Sequence, residues 1–481
     1  MDALSTTALA ADPYLQGGLR GLLAAMAAAG HPCERVDTTL HPHLQIAQHY
    51  LAHHASVPAC NRSGEEPCVL YQGDGSPMPV LMGLYGSRAR NGWLLHGDAA
   101  AAAPRLARRL SARLPPVRVQ DAPCHQRHRP EGLAALPVLQ TTPSDAGPYL
   151  TSGLVCALDP DTGQPNVSIH RLRVLDAQRL TIWMLPGRDL DRITQRSLAL
   201  GKPLSISINI GVPPAVYLTS ALSAPFIGAG DSELALAGAV QGWPVALAAC
   251  RTNAGVCLAA SEIVIEAQIT AETADEFSDP VLRWAMPEFL GYMGQGRPSL
   301  PVVQLTGLWH REGAIYQAFL GPGKEQSELL ALPTEAGMIA ALQAAFADEL
   351  EVLDAHYPAA GGGQLLLVLQ VRRRHHRPGL PQRLLGAVLE RHRLCKAVWL
   401  VDDDVDIHSP EDLLWACATR LQPSADLHLR TGEPGFPLDP SQAPGYLAAD
   451  RALTDKYLLD CTVPPDSSQR FARWTTFVST P

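Results

Sequence analysis

Near the N-terminus the apolar residues recur at helical spacing: Leu19, Leu22, Leu23 and Met26, with Gly30 as a C-terminal stop. A second run, Leu44 to Ala52, follows His41-Pro42, so residues 15–56 read as largely helical. Val80-Leu81-Met82 and the following Gly83 to Arg88 read as a strand and a turn, and residues 99–113 as a further helix. Pro115 to Pro148 is rich in proline and polar residues, the composition of a boundary or a draped loop.

Beyond residue 150 the pattern changes to short apolar or β-branched runs at close spacing. Leu172–Leu175, Leu180–Leu185, Leu204–Ile210, Glu262–Ala267 and Val302–Leu308 predict strands of a β barrel or sandwich. Residues 335–358 turn helical. Gln364–Val371 and Ala397–Val401 then read as buried strands between helices at 381–392 and 410–420, the alternation of an α/β layer domain. No internal repeat is visible.

The 481 residues predict two or three domains. A net charge of −9 argues against a nucleic-acid partner, which a basic face would attract. The basic run from Arg372 to Arg377 is short and reads as a solvated loop or strand edge. No apolar stretch approaches the roughly 20 residues that span a bilayer, and Met1-Asp2-Ala3-Leu4 carries an acid where a secretory signal needs a base. Ten cysteines without a CxxC pair fit reduced thiols in a cytoplasmic protein.

Several chemical motifs are absent or incomplete. There is no Walker loop, no GxSxG elbow and no strand-coupled GxGxxG, and Gly361-Gly362-Gly363 reads as a turn. Cys124-His125-Gln126-Arg127-His128 offers soft metal ligands, but no second cluster along the chain completes a tetrahedral site, so zinc is not expected there. His41, His43, His49, His53 and His54 read as surface histidines. The informative stretch is Asn166-Val167-Ser168-Ile169-His170-Arg171, followed by Pro186-Gly187-Arg188-Asp189 and by Glu233. Asparagine, aspartate and glutamate supply the hard oxygen ligands that Mg²⁺ and Mn²⁺ prefer.

These segments together resemble the UbiD family of prenylated-FMN-dependent decarboxylases. Asn166 to Arg171 is similar to the family's N-x-S/G-I-x-R segment. Gly201-Lys202-Pro203-Leu204 and Gly211-Val212-Pro213-Pro214-Ala215 resemble the strand and turn that follow. Ser261 to Glu266 resembles the SEIVIEG strand with Ala267 in place of its glycine, and Val401 to Asp406 resembles the DDDVD signature. Gly75 to Val80 agrees more weakly, and Leu414-Trp415-Ala416 with Thr419-Arg420 resembles the helix after the signature. Two departures stand out. Asp189 occupies a position where histidine is common. The E-G-P-F/Y-G-D/E-x-x-G-Y segment is reduced to Glu288 and Gly291-Tyr292, with Arg283 where its first acid belongs, so that acid is either a displaced Glu276 or missing.

The resemblance implies an α/β and β multidomain fold: an N-terminal α/β domain (1–115), a central split β-barrel binding prenylated FMN (116–320), a C-terminal α/β domain (321–440) and a tail (441–481) with a role in oligomerisation. It implies reversible non-oxidative decarboxylation of an α,β-unsaturated or (hetero)aromatic acid through a prenylated flavin adduct. The cofactor would be bound by Asn166, Ser168, Ile169, His170, Arg171, Arg188, Asp189 and Glu233. Mn²⁺ (or Mg²⁺) would sit on Asn166, Asp189 and Glu233, and K⁺ near Thr219, Ser220, Leu222 and Glu233. Glu288 would deliver the proton, partnered by Arg171, with Glu276 as third member or rival acid. A flavin prenyltransferase would supply the cofactor, and the chain would form a homodimer or larger homo-oligomer. The competing readings are a non-catalytic cofactor-storage homologue and an ordinary FMN oxidoreductase on a split barrel.

Overall fold

The computed structural model describes residues 18–471 and 473, apart from 75, 77, 97–101, 223, 228–231, 376, 436–437, 443–452, 465–467 and 472. The opening Met1 to Leu4, Gly75 and Pro77 of the weaker motif, the start of the 99–113 helix, His376 of the basic run and most of the tail lie outside the described residues.

In chain order the first layer holds α1 (Leu19–Ala28), β1 (Glu34–Leu40), α2 (Gln45–His53), β2 (Val69–Gly73), β3 (Val80–Met82), α3 (Arg88–His96) and α4 (Ala102–Ala107). The reading of 15–56 as helix is corrected here: Glu34–Leu40 is a strand. Its Val36, Thr38 and Thr39 are β-branched, and it pairs in parallel with β2. Cys33 and Cys68 beside this pairing form a disulfide, which corrects the expectation of ten reduced thiols. The other eight are free.

The middle of the chain supplies β4 (Val117–Val119), β5 (Arg127–His128), β6 (Tyr149–Leu158), β7 (Pro165–Asp176), β8 (Arg179–Ile182), α5 (Asp189–Ala199), β9 (Leu204–Ile210), α6 (Pro214–Ser220) and α7 (Glu233–Gln241). Next come β10 (Ala246–Ala249), β11 (Val256–Leu258), β12 (Ile263–Ala274), β13 (Trp284–Pro287), β14 (Met293–Gln295), β15 (Leu300–His310) and β16 (Tyr316–Gln317). Strands β12-β9-β6-β7-β8-β15 are neighbours in that order, and β15 returns to pair with β12, closing a six-stranded barrel. Alternation dictates its filling. In β9, Leu204, Ile206, Ile208 and Ile210 all point to one buried cluster with Leu172 and Ile265. Ser207 and Asn209 face the other way, where Asn209 Oδ1 accepts from the Leu258 amide. A small sheet, β11-β10-β4, lies beside the barrel, and β16 adds to β3 as the fourth strand of the N-terminal sheet.

The last part holds α8 (Lys324–Phe346), β17 (Leu350–His356), β18 (Leu366–Arg373), α9 (Leu380–Arg391), β19 (Ala397–Val401), α10 (Pro410–Arg420), β20 (Leu427–Pro434) and β21 (Leu453–Asp460). The helix expected at 335–358 is in fact Lys324–Phe346, and Leu350–His356 is a strand. Helix α8 has 23 residues and is apolar enough to cross a bilayer by length and composition, and two thirds of its most apolar window is buried within the fold. The sheet runs β17-β18-β19-β21-β20, so the segment expected as a separate tail contributes its fourth strand. Helix α10 starts on Pro410 with Ser409 accepting from the Asp412 amide, a cap that satisfies an otherwise orphaned donor.

Candidate functional site

Strand β7 carries most of the residues singled out in the sequence. Residues two apart on a strand share a face, and Ser168 Oγ meets His170 Nε2 at 2.8 Å. The other imidazole nitrogen of His170 lies 3.0 Å from the Trp183 carbonyl. Burial pulls the His170 pKa down to about 4, partly offset by that carbonyl, so the ring is neutral and one nitrogen donates while the other accepts.

Arg171 stands between two carboxylates. Its Nε is 2.8 Å from Glu276 Oε1 and its Nη2 3.0 Å from Glu276 Oε2, while Nη1 pairs with Glu288 Oε1. The three residues come from β7, the turn after β12 and the turn after β13. Glu276 is buried, 1% exposed. It is anchored from the segment between β14 and β15, because its amide donates to the Arg297 carbonyl and its Oε2 accepts from the Arg297 amide at 3.2 Å. Glu288 sits in the tight β13–β14 turn, closed by Glu288 N to Tyr292 O and Gly291 N to Glu288 O. Gly291 has φ +85° there, a conformation that favours glycine. Of the two residues considered for the first acid's place, Glu276 meets Arg171. Arg283 turns away, its guanidinium 5.2 Å from the Phe277 ring centroid and its Nε donating to the Pro280 carbonyl.

Trp183 was quoted in the sequence only as part of a strand. In the structure the Arg171 and Arg297 guanidinium carbons lie 5.1 and 4.9 Å from its ring centroid, within cation–π range. Nothing in a single sequence links Trp183 to arginines 12 positions before it and 114 after it.

Asp189 opens α5, Glu233 opens α7, and Asn166 lies near the start of β7. Both helices pack on β7. Burial pushes the Glu233 carboxyl up to about 7, and the Asp189 charge adds to that rise against the opposing effect of a backbone hydrogen bond. Asp189 is half exposed and paired with Arg192. Asn166 Oδ1 is buried without a hydrogen-bond partner. A buried acceptor lacking a donor, together with two carboxylates that repel each other, suits a hard cation. Arg188 precedes α5 and lies near enough to His392 of the C-terminal sheet domain to help depress that imidazole's pKa, after burial and Lys456. Of the residues expected at a potassium site, Thr219 Oγ1 bonds the Ala215 carbonyl and, at 3.3 Å, that of Glu233. Ser220 Oγ bonds the Val216 carbonyl, and the Leu222 amide bonds that of Thr219. Ile169 packs against the main core.

The fold brings one further soft ligand to Cys124-His125 from far along the chain: Cys257 Sγ is 3.9 Å from Cys124 Sγ and 3.7 Å from His125 Nε2.

Comparison with known proteins follows this geometry. Residues 116–324 match the description of the 3-octaprenyl-4-hydroxybenzoate carboxy-lyase Rift-related domain (UbiD), and residues 327–461 match that of the corresponding C-terminal domain. Gallate decarboxylase of Lactiplantibacillus plantarum is 33% identical over 82% of this chain and 83% of its own. The apo structure of a 3,4-dihydroxybenzoic acid decarboxylase from Enterobacter cloacae has TM-score 0.86 and 32% identity, covering 95% of this chain and 96% of that one. An evolved dimeric form of the UbiD-class enzyme HmfF from Pelotomaculum thermopropionicum, in complex with prFMN, has TM-score 0.79 and 27% identity, covering 96% of this chain and 100% of that one.

Proposed function

The chain belongs to the UbiD family of carboxy-lyases, and we propose that this decarboxylase acts without net oxidation on hydroxylated aromatic acids, using prenylated FMN and a divalent cation. The observation that carries the reading is the Glu276–Arg171–Glu288 arrangement. Loss of CO₂ from an sp² carbon leaves charge that no side chain absorbs, and prenylated FMN supplies the electron sink when bound. Asn166 and Glu233, with Asp189, would hold the cation. His170, Ser168 and Arg188 would line the cofactor's polar side, and K⁺ would sit near Thr219.

The chain's own residues do the rest. Arg171 presents a forked donor to carboxylates. Glu276 fixes that fork in place, and Glu288 hands a proton to the carbon that CO₂ leaves. The choice of aromatic acid rests on the relatives, which act on gallate and on 3,4-dihydroxybenzoic acid by their names. A flavin prenyltransferase is the implied supplier, and a homodimer or larger assembly the implied state, which light scattering reads directly.

The experiment is coexpression with a flavin prenyltransferase, followed by a screen of gallate, 3,4-dihydroxybenzoate, cinnamate-type and saturated acids for CO₂ release. Turnover of a hydroxybenzoate is expected. Release from saturated or β-keto acids alone would contradict the reading. A bound flavin with no turnover of any acid would favour the storage homologue.

A further inference from the structure

Away from the Arg171 site, soft ligands gather where the small sheet meets the barrel. Cys124 and His125 occupy the single turn Pro123–His125 that follows β4, Cys250 follows β10, and Cys257 lies on β11. Because β4 pairs in parallel with β10, and β10 antiparallel with β11, residues more than 130 positions apart become neighbours. Cys124 and Cys257 are fully buried and His125 nearly so. Cys250 packs against the same cluster.

Two of the ligand spacings match the edges of a tetrahedral zinc site. With Zn–S near 2.3 Å and Zn–N near 2.0–2.1 Å, tetrahedral edges are about 3.8 Å between sulfurs and about 3.6 Å between sulfur and nitrogen. The chain holds 3.9 Å between Cys124 Sγ and Cys257 Sγ, and 3.7 Å between His125 Nε2 and Cys257 Sγ. Glu266 lies against the same nitrogen, its Oε1 3.2 Å from His125 Nε2. That carboxylate is itself held by the amides of Arg251 and Thr252 at 2.8 and 2.6 Å.

We propose that Cys124, His125, Cys250 and Cys257 form a Cys₃His site for a structural zinc ion. Thiolates and imidazole select a soft or borderline cation, and four protein ligands leave no open position for catalysis. On binding, the thiol protons are released and Nε2 exchanges its contact with Glu266 for the metal. The ion would fasten the segment after β4 to the β10–β11 hairpin. The proposal does not depend on the decarboxylase reading.

Metal analysis of the full chain, purified under reducing conditions with zinc supplied, tests it. About one zinc per chain is expected to survive dialysis. Exchange for Co²⁺ should produce the intense sulfur-to-cobalt bands that the all-oxygen group of Asn166, Asp189 and Glu233 cannot give. Cys257→Ser should abolish those bands. Should it fail to fold, the half-exposed Cys250→Ser should still lower them by about a third. Absence of retained zinc together with absence of sulfur–cobalt bands in the wild-type chain overturns the site, as does a Cys124–Cys257 disulfide found by non-reducing mass spectrometry. Undiminished bands in Cys250→Ser overturn the Cys₃His composition.

Discussion

Arg171 grips Glu276 with two nitrogens, at 2.8 and 3.0 Å, but meets Glu288 with one. A forked pair fixes a carboxylate in place, so the proposed proton donor is the more loosely held Glu288. Glu288→Gln is expected to keep its flavin and lose decarboxylation by a factor on the order of 10²–10⁴. Glu276→Gln should also slow turnover, by loosening Arg171. Steady-state rates on the loaded enzyme decide: near-wild-type turnover in Glu288→Gln beside an inactive Glu276→Gln would transfer the role to Glu276.

Gly294 leaves the room that Glu288 occupies. A methyl group there would lie 2.7 Å from Glu288 Cγ, from its Oε1 and from the Met286 carbonyl oxygen. Since the last of these is backbone, the turn must shift. Gly294→Ala should cost about 1–3 kcal/mol of stability and lower kcat on the order of 10–10²-fold by misplacing the acid, with flavin content unchanged. Full activity in this variant would show that the position of Glu288 is not critical.

Asn166→Ala and Glu233→Gln each remove an oxygen from the group assigned to the cation. Both variants should emerge from gel filtration with less bound manganese, by electron paramagnetic resonance, and with less flavin absorbance, while folding normally by circular dichroism. Retained manganese in both would move the cation elsewhere.

His392 is buried, with its nitrogens 2.8 Å from Tyr357 Oη and 2.9 Å from Gln364 Oε1. Burial, then Lys456 and Arg188, pull its pKa down to about 3. Unfolded, the same imidazole titrates near 6.5. Its contribution to stability is therefore fully present above pH 6.5 and is lost as the pH falls toward 3, because the unfolded chain takes up the proton first. Buried Glu325 and Glu328, raised to about 8 and 7 by burial first, act in the opposite direction, so the readout is a difference between chains. The stability gap between wild type and His392→Gln, from urea midpoints, should narrow by roughly 1–2 kcal/mol between pH 7.5 and 5. A gap constant with pH would refute this.

The regular elements with a clear apolar pattern were readable before folding: Leu204–Ile210, Ala397–Val401 and Pro410–Arg420 stand where the pattern puts them. Strand Glu34–Leu40 was hidden because its side chains are largely solvent-facing and its identity comes from pairing with β2. The first half of α8 was hidden by Pro333 inside the helix. At the site, Asn166, Arg171 and Glu288 were singled out by the resemblance to the UbiD segments. Glu276 was left as one of two alternatives, because it reaches Arg171 from 105 positions away through a diverged segment. Cys257 lies 132 positions from His125, beyond any local ligand pattern.

Strand β3 cannot be completed until late in synthesis. Val80, Leu81 and Met82 are fully buried, and their outer edge is covered by Tyr316 and Gln317, the former 236 positions after Val80. At 5–20 residues per second a ribosome needs roughly 12–50 s to close that interval. During it the nascent chain displays an apolar strand with an unpaired backbone edge, a template for neighbouring chains. Glu325 arrives directly afterwards and takes hydrogen bonds from the amides of Gly83 and Tyr85, so a few late residues cover the strand and seal its turn. Substitution at Tyr316 or Glu325 would first be felt as aggregation on the ribosome, before any change in the finished enzyme.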